Sequence, residues 1–339
     1  MSETFVYSTL RQRKDLKEKT IKLIETSLSY TKHYDYSVDF APLMNEENLS
    51  CCHIVFIQET QEVIAHIGFL KKDLLINSRT YPVGLIGGVC VHEKYQGQGL
   101  FKKLFEKMVR FYGESVGVFM LWSEKVDLYK KFDFHLCIEQ REIKKTTGTN
   151  QGFTQTKYYL LTDKEKMQIK RLYNEQILNQ YSSFSRNEKD WRKVEEITSS
   201  DLYIKKVDDK IVGYFFMNKG QDLQGVIHEI ALDSEHEDIY TYGNAWLGPN
   251  NTKGKEGELQ FSSLVKVSNI DIFRRMIYDY TEQKVTLISL DKGEAKFEFE
   301  RQIYSHPIDR FLTGIFGPYN FEEFNFKTKP LYISGLDSV

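Results

Sequence analysis

The strongest constraint in this 339-residue sequence is a strand, glycine turn and helix in direct succession between Pro82 and Val109. Pro82 to Val91 is an apolar run of the kind that forms a buried strand. The glycine pair Gly87-Gly88 inside it predicts a bulge or a close approach of backbone. His92-Glu93-Lys94-Tyr95-Gln96-Gly97-Gln98-Gly99-Leu100-Phe101 follows at once. Leu100, Leu104 and Met108 then recur at helical spacing, and Phe101, Phe105 and Val109 widen the same stripe. Glycines between a buried strand and a helix let backbone N–H groups converge at the positive end of the helix dipole, which suits an anion such as a phosphate. A Gly-x-Gly turn alone is common and marks a bend as readily as a site.

The rest of the chain supplies context. Its length exceeds what one core usually organises, which predicts two domains. With 41% hydrophobic, 14% aromatic and 28% charged residues it should be ordered throughout rather than a solvated coil. A net charge of -2 provides no field for gathering nucleic acid or anionic lipid, so neither nucleic acid nor membrane is expected as a main partner. No stretch of about 18 apolar residues occurs, and charges at Arg11, Arg13 and Lys14 interrupt any leader-like run. A cytoplasmic protein is expected, with Cys51, Cys52, Cys90 and Cys137 reduced and without metal-ligand spacing. No metal is expected.

Periodicity predicts a helix over Asp15–Tyr30, a looser aromatic stretch from Tyr34 to Leu43, and a hairpin of Cys51–Ile57 and Val63–Leu75. Beyond the glycine turn and its helix come a strand at Gly117–Trp122, a short helix at Asp127–Lys131 and a strand at Phe134–Lys144. Thr146 to Gly152 is the linker candidate. The second half reads as helices at Asp163–Asn179 and Asn187–Ile197, then strands at Asp201–Val207, Ile211–Asn218 and Val226–Leu232. A polar loop at Gly243–Gly257 precedes Leu259–Val267, a helix at Ile270–Tyr278, two more strands and a helix at Pro307–Ile315. Helix followed by meandering strands in both halves hints at an internal duplication.

Gly88-Val89-Cys90-Val91-His92-Glu93-Lys94-Tyr95-Gln96-Gly97-Gln98-Gly99-Leu100-Phe101 resembles the acetyl-CoA motif of GNAT N-acetyltransferases, a six-residue loop opened by Gln or Arg with glycine at its fourth place. Gln96 and Gly99 take those places; Phe101 stands at the sixth, where Gly or Ala is usual. Leu128-Tyr129-Lys130-Lys131-Phe132-Asp133-Phe134 resembles the tyrosine segment that follows in the family, with Asp133 in place of glycine. The resemblance implies an α+β GNAT fold, a mixed and mostly antiparallel sheet flanked by helices. It implies a catalytic domain at residues 1–147, with a degenerate GNAT-like domain at 153–339 acting as lid or scaffold. The second half has no glycine loop of its own. Its phrase Leu264-Val265-Lys266-Val267-Ser268-Asn269-Ile270 is similar to the enhanced-intracellular-survival type of tandem acetyltransferase.

The same resemblance implies an acetyl-CoA co-substrate held by Gln96, Gly97, Gln98, Gly99, Leu100 and Phe101. Backbone around Val89, Cys90 and Val91 would serve pantetheine and the thioester oxygen. Tyr129 is the implied general acid. Ser123 and Glu124, at a strand end, are acceptor-side candidates, Glu124 as base or as anchor for a cationic amine; His92 and Glu93 are lesser base candidates. A covalent acetyl-Cys90 route lacks an evident neighbour to activate the thiol. The ordered-looking terminus, Pro330 to Val339, suggests by the same likeness that the Val339 carboxylate, or Asp337, enters the first domain's cleft as base. The expected reaction is direct transfer of acetyl to a primary amine, small molecule or peptide. The alternative is an inactive acyl-CoA-binding module, for which Phe101 and Asp133 speak, and the second half could hold an apolar ligand. Oligomeric state is open.

Overall fold

The computed structural model describes residues 3–144, 152–233, 244–249, 257–318 and 328–339. The first half runs β1 (Phe5–Thr9), α1 (Lys17–Ser27), the single turns α2 (Tyr36–Asp39) and α3 (Ala41–Met44), then β2 (Cys52–Ile57), β3 (Val63–Ile76) and β4 (Arg79–Val91). It continues through α4 (Leu100–Tyr112), β5 (Val118–Leu121), α5 (Val126–Lys130) and β6 (His135–Ile143). The second half contains β7 (Phe153–Thr156), α6 (Asp163–Leu172), α7 (Leu178–Gln180), β8 (Ser183–Phe184), α8 (Glu188–Glu196), β9 (Asp201–Val207), β10 (Lys210–Met217) and β11 (Val226–Leu232). After β12 (Asn244–Leu247) and β13 (Glu258–Val267) come α9 (Ile270–Tyr280), the strands β14 (Val285–Asp291), β15 (Glu294–Phe299) and β16 (Gln302–Pro307), and α10 (Ile308–Phe316).

One sheet runs through both halves in the order β1-β2-β3-β4-β5-β13-β6-β12-β11-β10-β9-β7, with β8 added against β3. Strands β14, β15 and β16 form a separate small sheet. The order reads as the same unit twice, with the last strands exchanged. In the first unit β4 and β5 are parallel; in the second, β11 and β12 are. β13, from the second half, closes against β5, while β6, from the first, closes against β12. The two middle strands also pair with each other from Glu258↔Glu142 to Val265↔His135. Each half thus lends a strand to the other's edge, which joins the two into one sheet.

Local chemistry explains the elements. Asn77 and Ser78, both at positive φ (45° and 74°), make the two-residue turn that joins β3 to β4. Alternation sorts the two sheet faces: Val118 and Met120 of β5 join the core under α1 to α3, while Phe119 and Leu121 join the core under α4. Capping boxes start α6 (Thr162 with Glu165) and α8 (Asn187 with Asp190).

Several expectations shift. The polar stretch from Gly243 contains a strand, β12, too short to show periodicity and defined by its partners β6 and β11. Three strands rather than two follow α9. The helix expected over Asp163–Asn179 passes through a π-helical turn at Tyr173–Ile177, and the aromatic stretch folds into α2 and α3. The linker candidate, except Gly152, lies outside the described residues.

Candidate active site

The site begins with a defect in the sheet. β4 pairs with β5 only from Val83 to Leu85, so its remaining length, Ile86 to Val91, has no strand partner on that edge among the described residues. On the other edge the register against β3 slips, with His66 opposite Cys90 but Gly68 opposite Gly87. The extra β4 residue is taken up by a bulge at Gly88, where φ is +60°. The carbonyl of Gly88 accepts the Nδ1 proton of His66 at 2.7 Å. Burial pushes the His66 imidazole down to about 4, so it is neutral near pH 7. Gly88 is required twice over: its φ is left-handed, and a Cβ there would lie 2.8 Å from the Tyr36 hydroxyl.

From the end of β4 the chain turns into α4. Gly97 and Gly99 both sit at positive φ, 75° and 76°, with open space where side chains would project. Gly99 is the N-cap, and its carbonyl accepts from Lys103 N–H at 3.1 Å. The amides of Leu100, Phe101 and Lys102 precede the first intrahelical bond and have no helical acceptor. Gln96 ties the loop back to the strand, its amide donating to the Val91 carbonyl at 3.2 Å. Exposed Lys102 and Lys103 add positive charge to the first turn. Glycine backbone, free amides and cations at a helix start fit the diphosphate of a coenzyme A thioester. Phe101 does not obstruct this: its ring meets Phe105, Phe132 and Tyr129 at 5.8, 4.9 and 5.9 Å. His92 accepts from Lys94 N–H and caps a 3-10 turn, and Glu93 is exposed; both are surface positions of the loop.

Tyr129 stands on α5, buried, its ring edge-on to Phe101 and Phe134. Burial pushes its hydroxyl up to about 12 against the pull of the Ser123 hydroxyl, so it keeps its proton at neutral pH. Ser123 also accepts from Lys125 N–H at 3.1 Å, which starts α5. Glu124, beside it, is exposed. Asp133 adopts φ +61° where the related motif carries glycine. Aspartate tolerates this conformation better than most residues, and its carboxylate reaches Lys266 on β13 at 3.1 Å. The turn is therefore kept. Cys90 is buried and its thiol pushed up to about 12, which leaves no thiolate for covalent catalysis.

The terminal segment crosses from the second half to the first. The Tyr332 hydroxyl donates to the carbonyl of His228 on β11 at 2.7 Å, and Gly335 N–H reaches the same oxygen at 3.3 Å. At the far end, the carboxyl carbon of Val339 comes so close to β4 that a Cβ on Gly87 would lie 2.6 Å from it. Charges that sequence inspection missed hold the segment between these points. Asp337 is buried against Arg186, which donates to it through Nη2 at 2.7 Å and to Glu229 through Nη2 at 2.5 Å. Lys72 of β3 pairs with the same Asp337 carboxylate. Lys219 donates to the carbonyls of Gly335 and Ser338, both at 2.6 Å. Burial would raise the Asp337 carboxyl, but Arg186 and Lys72 more than offset it and hold it well below the usual range. Asp337 is thus held inside the fold by two cations, Arg186 and Lys72. A lone arginine in a polar stretch and a lone histidine inside the apolar run of β3 were the available signals.

Among the described residues, no three His, Cys, Asp or Glu side chains are placed to hold a metal ion, and no helix is long and apolar enough to cross a membrane. The four cysteines are free thiols.

Comparison with known proteins agrees with this geometry. The family model described as an acetyltransferase (GNAT) domain matches residues 11–137, from β1's end through the bulge, the glycine loop and Tyr129 into β6. No curated protein sequence matches the chain significantly. Among solved structures, a GCN5-related N-acetyltransferase from Anabaena variabilis is similar over 90% of this chain and 85% of its own, at 12% identity and a TM-score of 0.59. Eis1 from Mycobacterium abscessus is similar over 89% of this chain and 85% of its own, at 10% identity and a TM-score of 0.56. N-myristoyltransferase from Saccharomyces cerevisiae, solved with bound myristoyl-CoA, covers 78% of this chain and 83% of its own, at 13% identity and a TM-score of 0.51. At such identities the likeness is one of fold, and it spans both halves. Residues 11–137 thus match a GNAT acetyltransferase domain, and the chain as a whole shares the fold of these acyltransferase structures.

Proposed function

We propose that the protein is an acetyl-CoA-dependent N-acetyltransferase in which a primary amine attacks the thioester directly, both substrates being bound together. The carrying observation is the carboxyl group of Val339 against Gly87, beside the bulge and on the strand whose end runs into the glycine loop. Acetyl-CoA would supply an activated acetyl group, its diphosphate held by backbone from Gln96 to Phe101. Val89, Cys90 and Val91 would present main-chain groups of the unpaired β4 edge to the pantetheine arm and the thioester oxygen. The Val339 carboxylate takes the proton that the attacking ammonium must lose, and the protonated Tyr129 hydroxyl supplies one to the departing sulfur. Ser123 sets the position of Tyr129, and exposed Glu124 serves as a rim anchor for a cationic acceptor rather than as the base. The second half acts as scaffold, carrying the terminal segment to the first.

An acyl-CoA-binding module without catalysis is the competing reading. It weighs less with the Phe101 ring turned into an aromatic cluster and Asp133 tolerated in its turn. CoA release from acetyl-CoA with spermidine, lysine methyl ester, an aminoglycoside and a lysine-bearing peptide separates the two. The expected result is turnover of at least one amine, with Tyr129→Phe slower by about 100-fold at unchanged KM for acetyl-CoA. Tight acetyl-CoA binding without release for any amine would leave only the binding module.

A further inference from the structure

Two side chains at the β4 bulge carry buried polar atoms that nothing in the described protein satisfies. Tyr36 is 1% exposed, and its hydroxyl has no hydrogen-bond partner among the described residues. Its ring is held by packing alone, 4.7 Å from Phe40 and 5.9 Å from Tyr30 between centroids. His66, also 1% exposed, donates its Nδ1 proton to Gly88, which leaves Nε2 as a bare lone pair; that atom is likewise without a partner. Both side chains crowd the space over Gly88, the hydroxyl 2.8 Å and the imidazole edge 3.0 Å from the place of a Cβ. The preceding residue, Gly87, carries the Val339 carboxyl group at 2.6 Å from the corresponding point.

Buried polar atoms without partners are uncommon because each costs folding stability. Two of them beside a carboxyl group, over consecutive residues of one strand, imply a ligand that satisfies them together. What they can offer is specific. A neutral imidazole nitrogen accepts, a carboxylate accepts, and a phenolic oxygen accepts as well as donates. A primary ammonium group presents three N–H donors and no acceptor. Burial raises the Tyr36 hydroxyl well above its ordinary range, so it stays neutral and does not compete for the proton.

We propose that Tyr36 and His66, with the Val339 carboxyl group, form the head-group site of the acceptor and that this site is built for a primary ammonium, one N–H to each. The proposal rests on the acyl-transfer reading above and adds two acceptor-binding residues to it. The carboxylate removes one proton. The other two N–H bonds stay held by Tyr36 Oη and His66 Nε2, which directs the freed lone pair at the thioester carbon. The N–C bond forms, the C–S bond breaks and the sulfur takes its proton from Tyr129; the nitrogen, now bonded to the acyl carbon, gives up a second proton, which restores the Tyr129 hydroxyl through solvent, and the amide keeps one N–H. A secondary amine has one donor fewer and a methyl group to place among polar atoms.

Tyr36→Phe tests this cleanly, because it keeps the packed ring and removes only the idle hydroxyl. A purely structural hydroxyl would lower Tm when lost; an idle one would leave Tm unchanged or raise it. With methylammonium as the minimal acceptor, the expected result is unchanged or higher Tm, unchanged KM for acetyl-CoA, and kcat/KM for the amine lower by about 10- to 100-fold. Dimethylammonium should be a poorer acceptor than methylammonium for the wild type. Equal turnover by Tyr36→Phe, a Tm several degrees lower, or equal use of both amines would overturn the proposal while leaving acyl transfer intact. A wild type that releases CoA with no amine at all would remove the acyl-transfer reading itself.

Discussion

The two halves share a strand plan and treat its central opening in opposite ways. In the first half β4 parts from β5 after Leu85, and the gap is lined by Gly87 and the Gly88 bulge. In the second half β11 parts from β12 after Ile227, and the next residues are His228 and Glu229. There the opening is filled. His228 accepts from Tyr332 and Gly335, while Glu229 is fully buried against Arg186 and accepts from the Tyr214 hydroxyl at 2.9 Å. The connections differ as well. Residues 92–117 join β4 to β5 and include α4 with its 13 residues, whereas residues 233–243 join β11 to β12 and are fewer than α4 alone contains. In the reading proposed above, one opening of the shared strand plan takes a ligand, while the other is filled by the terminal segment, whose end then reaches the first.

The sharpest way to break this contrast is to unlock the plug. Arg186 is surrounded by two buried carboxylates, so Arg186→Met leaves Glu229 without a cation and Asp337 with Lys72 alone, and should cost about 3–5 kcal/mol of stability, read by urea unfolding. A loss below about 1 kcal/mol would mean that the pair is not desolvated and the plug is loose. A smaller and more selective effect comes from a matched pair of glycines. Gly99 in the first half and Gly225 in the second have φ of +76° and +74° and open space around them. Each change to Ala should therefore cost a similar backbone strain of about 1–2 kcal/mol. Gly99→Ala should also weaken acetyl-CoA several-fold by calorimetry, and Gly225→Ala should not. Equal effects on acetyl-CoA would mean that the α4 start has no special part in binding.

Local features were legible because local chemistry determines them. The turn at Gly97 and Gly99, the start of α4 at Leu100 and the bulge at Gly87-Gly88 all follow from glycine's backbone freedom and the apolar periods around it. What escaped was set by partners distant in the chain. Nothing in Leu264-Val265 says that it pairs with Leu121 and Met120 instead of its own half, and Asn244–Leu247 is a strand only because β6 and β11 flank it. Arg186, Glu229, Lys72 and Asp337 are scattered over the sequence and read as ordinary charges until folding buries them together. Tyr36 and His66 were hidden for the same reason, although a histidine inside the apolar run of β3 was a visible irregularity.

The central claim is that the second half's terminal segment completes the first half's catalytic cleft without forming its cofactor site. Removing residues 335–339 and measuring acetyl-CoA affinity beside single-turnover CoA release tests it directly. The account predicts affinity within about threefold of the full chain and release slower by about 100-fold or more. Release at the full rate, or loss of acetyl-CoA binding in a protein that still folds, would contradict it.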